Sequence, residues 1–174
     1  TLMQSMRPQG VSFDPDTRRR SAPAKGWLVD CGDAEVTAQD VDATTQAIAA
    51  MTEGLTIAGA IPLALGGDHY NSFPACLGYS RGLVKRAPDK RFGYIQIDGH
   101  LDFSDRLGAW GSHNHATNAR RISELPNMDV SNMVWVGIAG WVDGGDLELI
   151  EKQGGRIFSA SDVHKLGATE VMRQ

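Results

Sequence analysis

The chain has 174 residues, 41% of them hydrophobic and 22% charged, with a formal net charge of −4. That is the composition of one ordinary globular domain with a mildly acidic surface, able to bury roughly 68–70% of its unfolded area around a single core. These values give no footing for nucleic acid, and no apolar stretch approaches the ~20 residues that cross a bilayer, so neither nucleic acid nor membrane is expected as a partner.

The opening TLMQSMRPQG lacks the apolar core of a secretion signal, and cytoplasmic localisation is expected. Residues 1–35 are rich in Pro, Arg and Asp, with one short apolar piece, Trp27-Leu28-Val29, as a candidate strand. The basic run Arg18 to Arg20 lies among Asp14, Pro15, Asp16 and Pro23 and reads as a solvated loop. Cys31 and Cys76 lie far apart with no C-x-x-C companion, which argues against a disulfide framework or a thiolate zinc site. Val41, Thr44, Ile48, Met51 and Leu55 recur at steps of three and four before Gly59, predicting an amphipathic helix over 38–58. Ile61-Pro62-Leu63-Ala64-Leu65 then reads as a strand buried on both faces, with Pro62 at its start. A helix over 72–86 leads to a strand over 92–97, and further strands are predicted over 133–138 and 156–158. A short helix over 147–152 separates these last two, and another helix begins at Gly167. Strands that alternate with helices predict an α/β domain with a mainly parallel sheet, one domain over 1–174.

Directly after the 92–97 strand stands IQIDGHLDFSD, with Asp98, His100 and Asp102 two apart. On a helix these side chains would be spread around the axis, whereas on an extended segment they share a face. At about 3.3 Å per residue their heads span a distance suited to two metal ions about 3.5–4 Å apart. Without cations the paired carboxylates would repel, and one would take up a proton. The alternative is that Asp98 caps a turn, His100 is a hydrogen-bonded core residue and Asp102 is solvated. A second polar cluster, Gly66-Gly67-Asp68-His69, also ends an apolar run, and in an open α/β sheet ligands bind beyond the carboxyl ends of the strands. Imidazole with carboxylate and no thiolate suits Mn, Zn, Fe or Ni alike. A third cluster, WGSHNHATNARR, carries His113 and His115. A histidine beside a metal site can shuttle protons, its pKa of about 6.5 lying near working pH.

Together G-G-D-H at 66–69, D-G-H-L-D-F-S-D at 98–105 and H-A-T-N-A-R at 115–120 resemble the arginase/agmatinase (ureohydrolase) family, whose motifs are G-G-D-H, D-A-H-x-D and H-G-T-x-x-R in this order. The resemblance implies a three-layer α/β/α fold and a hydrolase with two divalent metal ions, manganese foremost with Ni, Zn or Fe as alternatives. It splits a small cationic guanidino substrate into an amine and urea. By the same resemblance His69 and Asp102 bind one metal, His100 the other, Asp98 bridges both, His115 relays a proton to the departing amine, and Arg120 holds the loop. A homotrimer or hexamer is implied as well.

Several positions depart from the family pattern. Gly99 stands for Ala, Ala116 for Gly, and Tyr70 for the common Ser. Ser104 occupies the place of an arginase asparagine that recognises the substrate's amino-acid end, so agmatine or a guanidino acid is expected rather than arginine. The family's later S-x-D-x-D-x-x-D-P strand and its N-terminal strand are not found, and Asp162 in S-A-S-D-V-H is no substitute. The chain therefore reads as incomplete at both ends, its second metal held only by Asp98 and His100. Activity is expected of a longer protein and not of this piece alone. The alternatives are a catalytically silent homologue serving as a partner or regulatory subunit, and a formimino or guanidine hydrolase of the same family.

Overall fold

The structure is a computed structural model that describes residues 12–21 and 28–174. The chain divides into two units, residues 1–33 and 34–174. In the first, β1 (Ser12–Asp14) and β2 (Arg19–Ser21) form an antiparallel hairpin. Arg18, in its turn, has φ 56°, and Arg18 to Arg20 are exposed. Of the candidate strand at 27–29, Trp27 lies outside the described residues, while Leu28 and Val29 are exposed and belong to no strand.

The second unit begins with α1 (Val41–Ile57), which starts later than its periodicity suggests because Asp40 caps it, accepting from the Ala43 amide at 2.8 Å. Its buried face is also turned by one residue from the predicted stripe. Thr45, Ala49, Thr52 and Thr56 are buried, whereas Val41 is exposed and Ile48, Met51 and Leu55 are half-buried. The cause is α2 (Ser72–Arg86), packed so close that bulk cannot fit between. A Cβ on Gly78 would lie 2.2 Å from the Ala49 carbonyl oxygen, and one on Gly82 2.6 Å from Thr56 Cβ. The threonine hydroxyls in this seam donate to carbonyls four residues back, at 2.7–3.0 Å, and so bring no unpaired polar group into it.

Between these helices, residues 61–65 form no strand, which corrects the expectation of one buried on both faces. Ile61 is 94% exposed, Leu63 71% and Leu65 72%. An apolar run reports what a segment could bury, and among the described residues no strand pairs with this one.

The main sheet is parallel, in the order β3 (Tyr94–Ile97), β4 (Met133–Ile138), β5 (Arg156–Ser159). After β4 comes α4 (Gly144–Lys152), which starts three residues before its predicted position because Asp143 accepts from the Gly145 and Asp146 amides. The sequence alone did not lead to α5 (Ala160–Leu166), where Ser159 and Asp162 cap each other reciprocally. That occupation of Asp162 is a helix start. The helix expected from Gly167 is α6 (Ala168–Val171).

At the site, β4 extends the sheet past the end of β3. The Asp98 amide donates to the Val136 carbonyl at 3.1 Å and the Ala139 amide to the Gly99 carbonyl at 3.0 Å, on either side of Gly137, whose φ is 97° and where the pairing of β4 with β5 shifts register. Behind it, Leu101 and Phe103 are buried in the core with Trp135, Met133, Ile122 and Ile150. The Trp135 indole donates to the Leu101 carbonyl at 2.9 Å, and its ring meets Phe103 edge-on at 5.6 Å. Odd positions 101 and 103 thus anchor the segment while 98, 100 and 102 carry the polar heads.

Candidate metal centre

His69 opens a single 3₁₀ turn (His69–Asn71), set by Asp68, whose carboxylate accepts from the Tyr70 amide at 2.8 Å. This turn delivers the imidazole to the 98–102 segment. His69 Nδ1 lies 3.2 Å from Asp98 Oδ2 and 2.7 Å from Asp102 Oδ2. One nitrogen and two carboxylate oxygens, all within 4.8 Å of one another, form a donor set that can hold a divalent cation. His100 stands on the far side of Asp98, its Nδ1 3.4 Å from Oδ1. The two oxygens of Asp98 therefore face different imidazoles.

The alternative roles of these residues hold only in part. Asp98 Oδ1 does accept from the His100 amide at 2.8 Å, as a turn cap does. His100, however, is no core residue, its side chain being 81% exposed, and Asp102 is not solvated, at 8%. Burial pushes the Asp102 carboxyl above the usual carboxylate range, the neighbouring Asp98 charge adds to this, and His69, His100 and His115 oppose it. A desolvated carboxylate beside a second carboxylate is an arrangement that a cation relieves, so the residues present fit the metal that the motif implied.

Extended geometry fails at one point: Asp102 has φ 47°, the left-handed region a non-glycine residue rarely enters. Its carbonyl accepts from the amides of Ala119 at 3.0 Å and Arg120 at 3.3 Å, at the start of α3 (Asn118–Ser123). Those bonds hold a conformation that costs on the order of 1–3 kcal/mol.

The third cluster adjoins this centre. His115 is half-buried with Trp110 edge-on to its ring at 5.0 Å, and its charge is felt by Asp102. His113 is directed elsewhere: its ring lies 5.7 Å from Phe73 and 6.4 Å from Tyr70, and Nδ1 pairs with Ser112 Oγ at 3.1 Å. Tyr70, in the place of the family's common Ser, is buried in the packing between helices, its hydroxyl 2.8 Å from Thr45 Oγ1. Arg120 pairs with Glu124, which caps the end of its helix, and covers the Phe103 ring at 5.3 Å. The loop is held instead by Arg121, whose Nη2 donates to Asp105 at 2.6 Å and keeps that carboxyl below the usual range.

Two side chains here escaped the sequence reading. Gln96 is buried within β3, accepts from the Tyr94 hydroxyl at 3.0 Å, and donates to the His100 carbonyl at 2.9 Å and to Asp102 Oδ2 at 3.4 Å. Asn118 is fully buried and donates to the carbonyls of His69 and His115, both at 3.1 Å. For Gln96 the signal was a carboxamide on the inward face of an otherwise apolar strand; for Asn118 there was only its place inside H-A-T-N-A-R.

Known proteins bear on the site as follows. Guanidinopropionase of Pseudomonas aeruginosa is 28% identical over 146 residues, 83% of this chain and 44% of that protein. A crystal structure of formimidoylglutamase from Bacillus subtilis superposes with a TM-score of 0.78 at 17% identity, over 99% of this chain and 51% of that one. A crystal structure of Trypanosoma cruzi formiminoglutamase with Mn2+ superposes with a TM-score of 0.66 at 22% identity, over 79% of this chain and 45% of that one. The chain spans a little under half the length of the first curated relatives it matches. The model of the Arginase family matches residues 3–174, and the α/β fold with its parallel sheet is shared with these structures. The chain belongs to the arginase family.

Proposed function

We propose that the whole protein is a metal-dependent hydrolase that splits a small guanidino compound into an amine and urea. The observation that carries this is the convergence of His69, Asp98 and Asp102 on one point, with His100 on the opposite oxygen of Asp98. His69, Asp98 and Asp102 would hold one divalent cation, and His100, beside Asp98, would help to hold a second. Manganese is the first choice, in keeping with the Mn2+ of the Trypanosoma cruzi relative. When bound, such cations neutralise the carboxylates and bring the pKa of water toward neutrality.

The chain's own residues supply the rest. Water adds to the guanidinium carbon and gives up a proton to His115, the bond from that carbon to the tail nitrogen breaks as His115 returns this proton from its ring nitrogen to the departing amine, and the amine takes up the second proton of the added water, leaving urea. Trp110 stands edge-on against the His115 ring at 5.0 Å. For the tail, Ser104 Oγ donates to Asp146 at 2.9 Å, so a carboxylate stands beside the position of the arginase asparagine. That charge favours a tail ending in a cation, as in agmatine, over one ending in a carboxylate. Two of the departures from the family pattern leave the ligands of this chain alone: a Cβ on Gly99 would meet nothing within 4 Å, and Tyr70 serves the helix packing. This favours an enzyme over a silent homologue.

The test is to load the whole protein with Mn2+ and assay urea from agmatine, guanidino acids and arginine, with formamide measured from a formimino substrate. Urea from agmatine is expected, and His115→Ala is expected to lower turnover by about 10²- to 10⁴-fold with metal content unchanged. Formamide without urea would move the reading to the formimino hydrolases, and neither product would overturn it.

A further inference from the structure

The Asn118 side chain, within the third sequence cluster of the site, touches the other two as well. It begins α3 and is fully buried. Its Nδ2 donates to the His69 carbonyl at 3.1 Å and the His115 carbonyl at 3.1 Å, and lies 3.5 Å from Asp102 Oδ2. A carboxamide nitrogen carries two hydrogens, so the two carbonyls take both and the carboxylate is held by the field of the same group. Its orientation is not open to choice. Turning the amide over would set the oxygen's lone pairs against two carbonyls and a carboxylate, whereas as placed Oδ1 is buried with no hydrogen-bond partner among the described residues. A molecule that leaves a buried amide oxygen unpaired is keeping the other end of that amide in place. The neighbouring amides of the same helix start, Ala119 and Arg120, meanwhile hold the Asp102 carbonyl.

We propose that Asn118 is a positioning residue, a strut that holds the ligand His69, the ligand Asp102 and the relay histidine His115 in one arrangement. The separation between cation and proton donor is then set by one buried amide, since the turn carrying His69 and the loop carrying His115 are joined through it. The metal part of this rests on the donor set alone, and the proton-relay part rests on the function proposed above.

Two measurements separate these. In this chain, the Mn2+ affinity of Asn118→Leu, which keeps the volume and loses both donors, and of Asn118→Ser, which keeps one short donor and is gentler on folding, is followed by the electron paramagnetic resonance of free Mn2+. Both are expected to bind about 10- to 100-fold more weakly, Leu more so, as is usual for a residue that orients a ligand. Ser123→Ala, on the same helix with its hydroxyl only on the Arg120 carbonyl, is expected to stay within about twofold. In the whole enzyme, Asn118→Ser is expected to lower kcat with KM nearly unchanged, and to cost little more once His115 is already Ala. Mn2+ affinity within twofold of the original in both Asn118 variants overturns the proposal, as do losses that multiply with His115→Ala. A whole protein with no turnover on any substrate sinks the function and leaves the Mn2+ titration as the judge of the strut.

Discussion

Asp102 carries two burdens that a purely structural residue would not: a left-handed backbone and a buried carboxylate facing Asp98. Its raised pKa has a definite sign for stability. The folded chain holds this proton to higher pH than the unfolded chain, whose aspartates titrate near 3.9. Asp102 therefore lowers the stability of the metal-free protein as pH rises from about 4 through the raised value. A cation on the site reverses this, because it favours the ionised form. Asp102→Asn should accordingly melt higher than the original chain in EDTA at pH 7, each kcal/mol gained raising Tm by about 2–4 °C. Near pH 4 the two should converge. Mn2+ should raise Tm of the original chain and leave that of the variant in place. A metal-free variant that melts lower at pH 7 would show that Asp102 stabilises the fold and that its charge is not a cost borne for a ligand.

Helix α2 is the element on which the site depends, since His69 lies directly before it and Tyr70 is pinned to α1 through Thr45. The seam between α1 and α2 has no slack, because a Cβ on Gly78 would meet a backbone oxygen that cannot swing aside. Gly78→Ala should destabilise the chain by about 2 kcal/mol, within the 1–3 kcal/mol range of overpacked cores, as measured by urea unfolding. It should also weaken Mn2+ binding as α2 is pushed off α1; unchanged stability would mean the seam is looser than its distances. This seam shows where sequence was legible and where it was not. The extent of α1 followed from its period, but its buried face did not, because a heptad-like stripe of Ile48, Met51 and Leu55 ranks bulk, and a close glycine seam selects for its absence. Strand β4 was legible to the residue because Met133 to Ile138 is apolar and has a partner on each side. The site was legible wherever chemistry is rare and regularly spaced, as in Asp98, His100 and Asp102. It was silent at Gln96 and Asn118, since a carboxamide announces nothing until the carbonyls it serves are folded around it. Ser159 and Asp162 were readable as a helix start, at the spacing of a capping box, yet drew notice only as an absent ligand.

At the scale of the molecule, the site lies at an open edge of the sheet. β3 pairs with β4 on one side, and no described strand pairs with the other. That edge reads Tyr94-Ile95-Gln96-Ile97, without the lysine, proline or charge that usually blunts such a strand, and Ile95 and Ile97 are exposed along with Ile61, Leu63 and Leu65. Exposed apolar side chains in this number on a chain of 174 residues favour association, and an unpaired strand adds backbone donors and acceptors to it. The chain by itself should therefore form species larger than the monomer as its concentration rises in sedimentation velocity. Replacing Ile61, Leu63 and Leu65 together by Lys should return it toward the monomer by charge repulsion and loss of apolar area. The same triple variant should keep its Mn2+ affinity within about tenfold, one step of 1.4 kcal/mol, because His69 is seated by Asp68 and Asn118 and not by the 61–65 segment. A monomer at every concentration would mean that this edge is shielded within the chain itself. Retained association with lost Mn2+ affinity would mean that residues 61–65 position the ligand and not the contact, so sedimentation and metal titration on one variant tell a sticky edge from a supporting one.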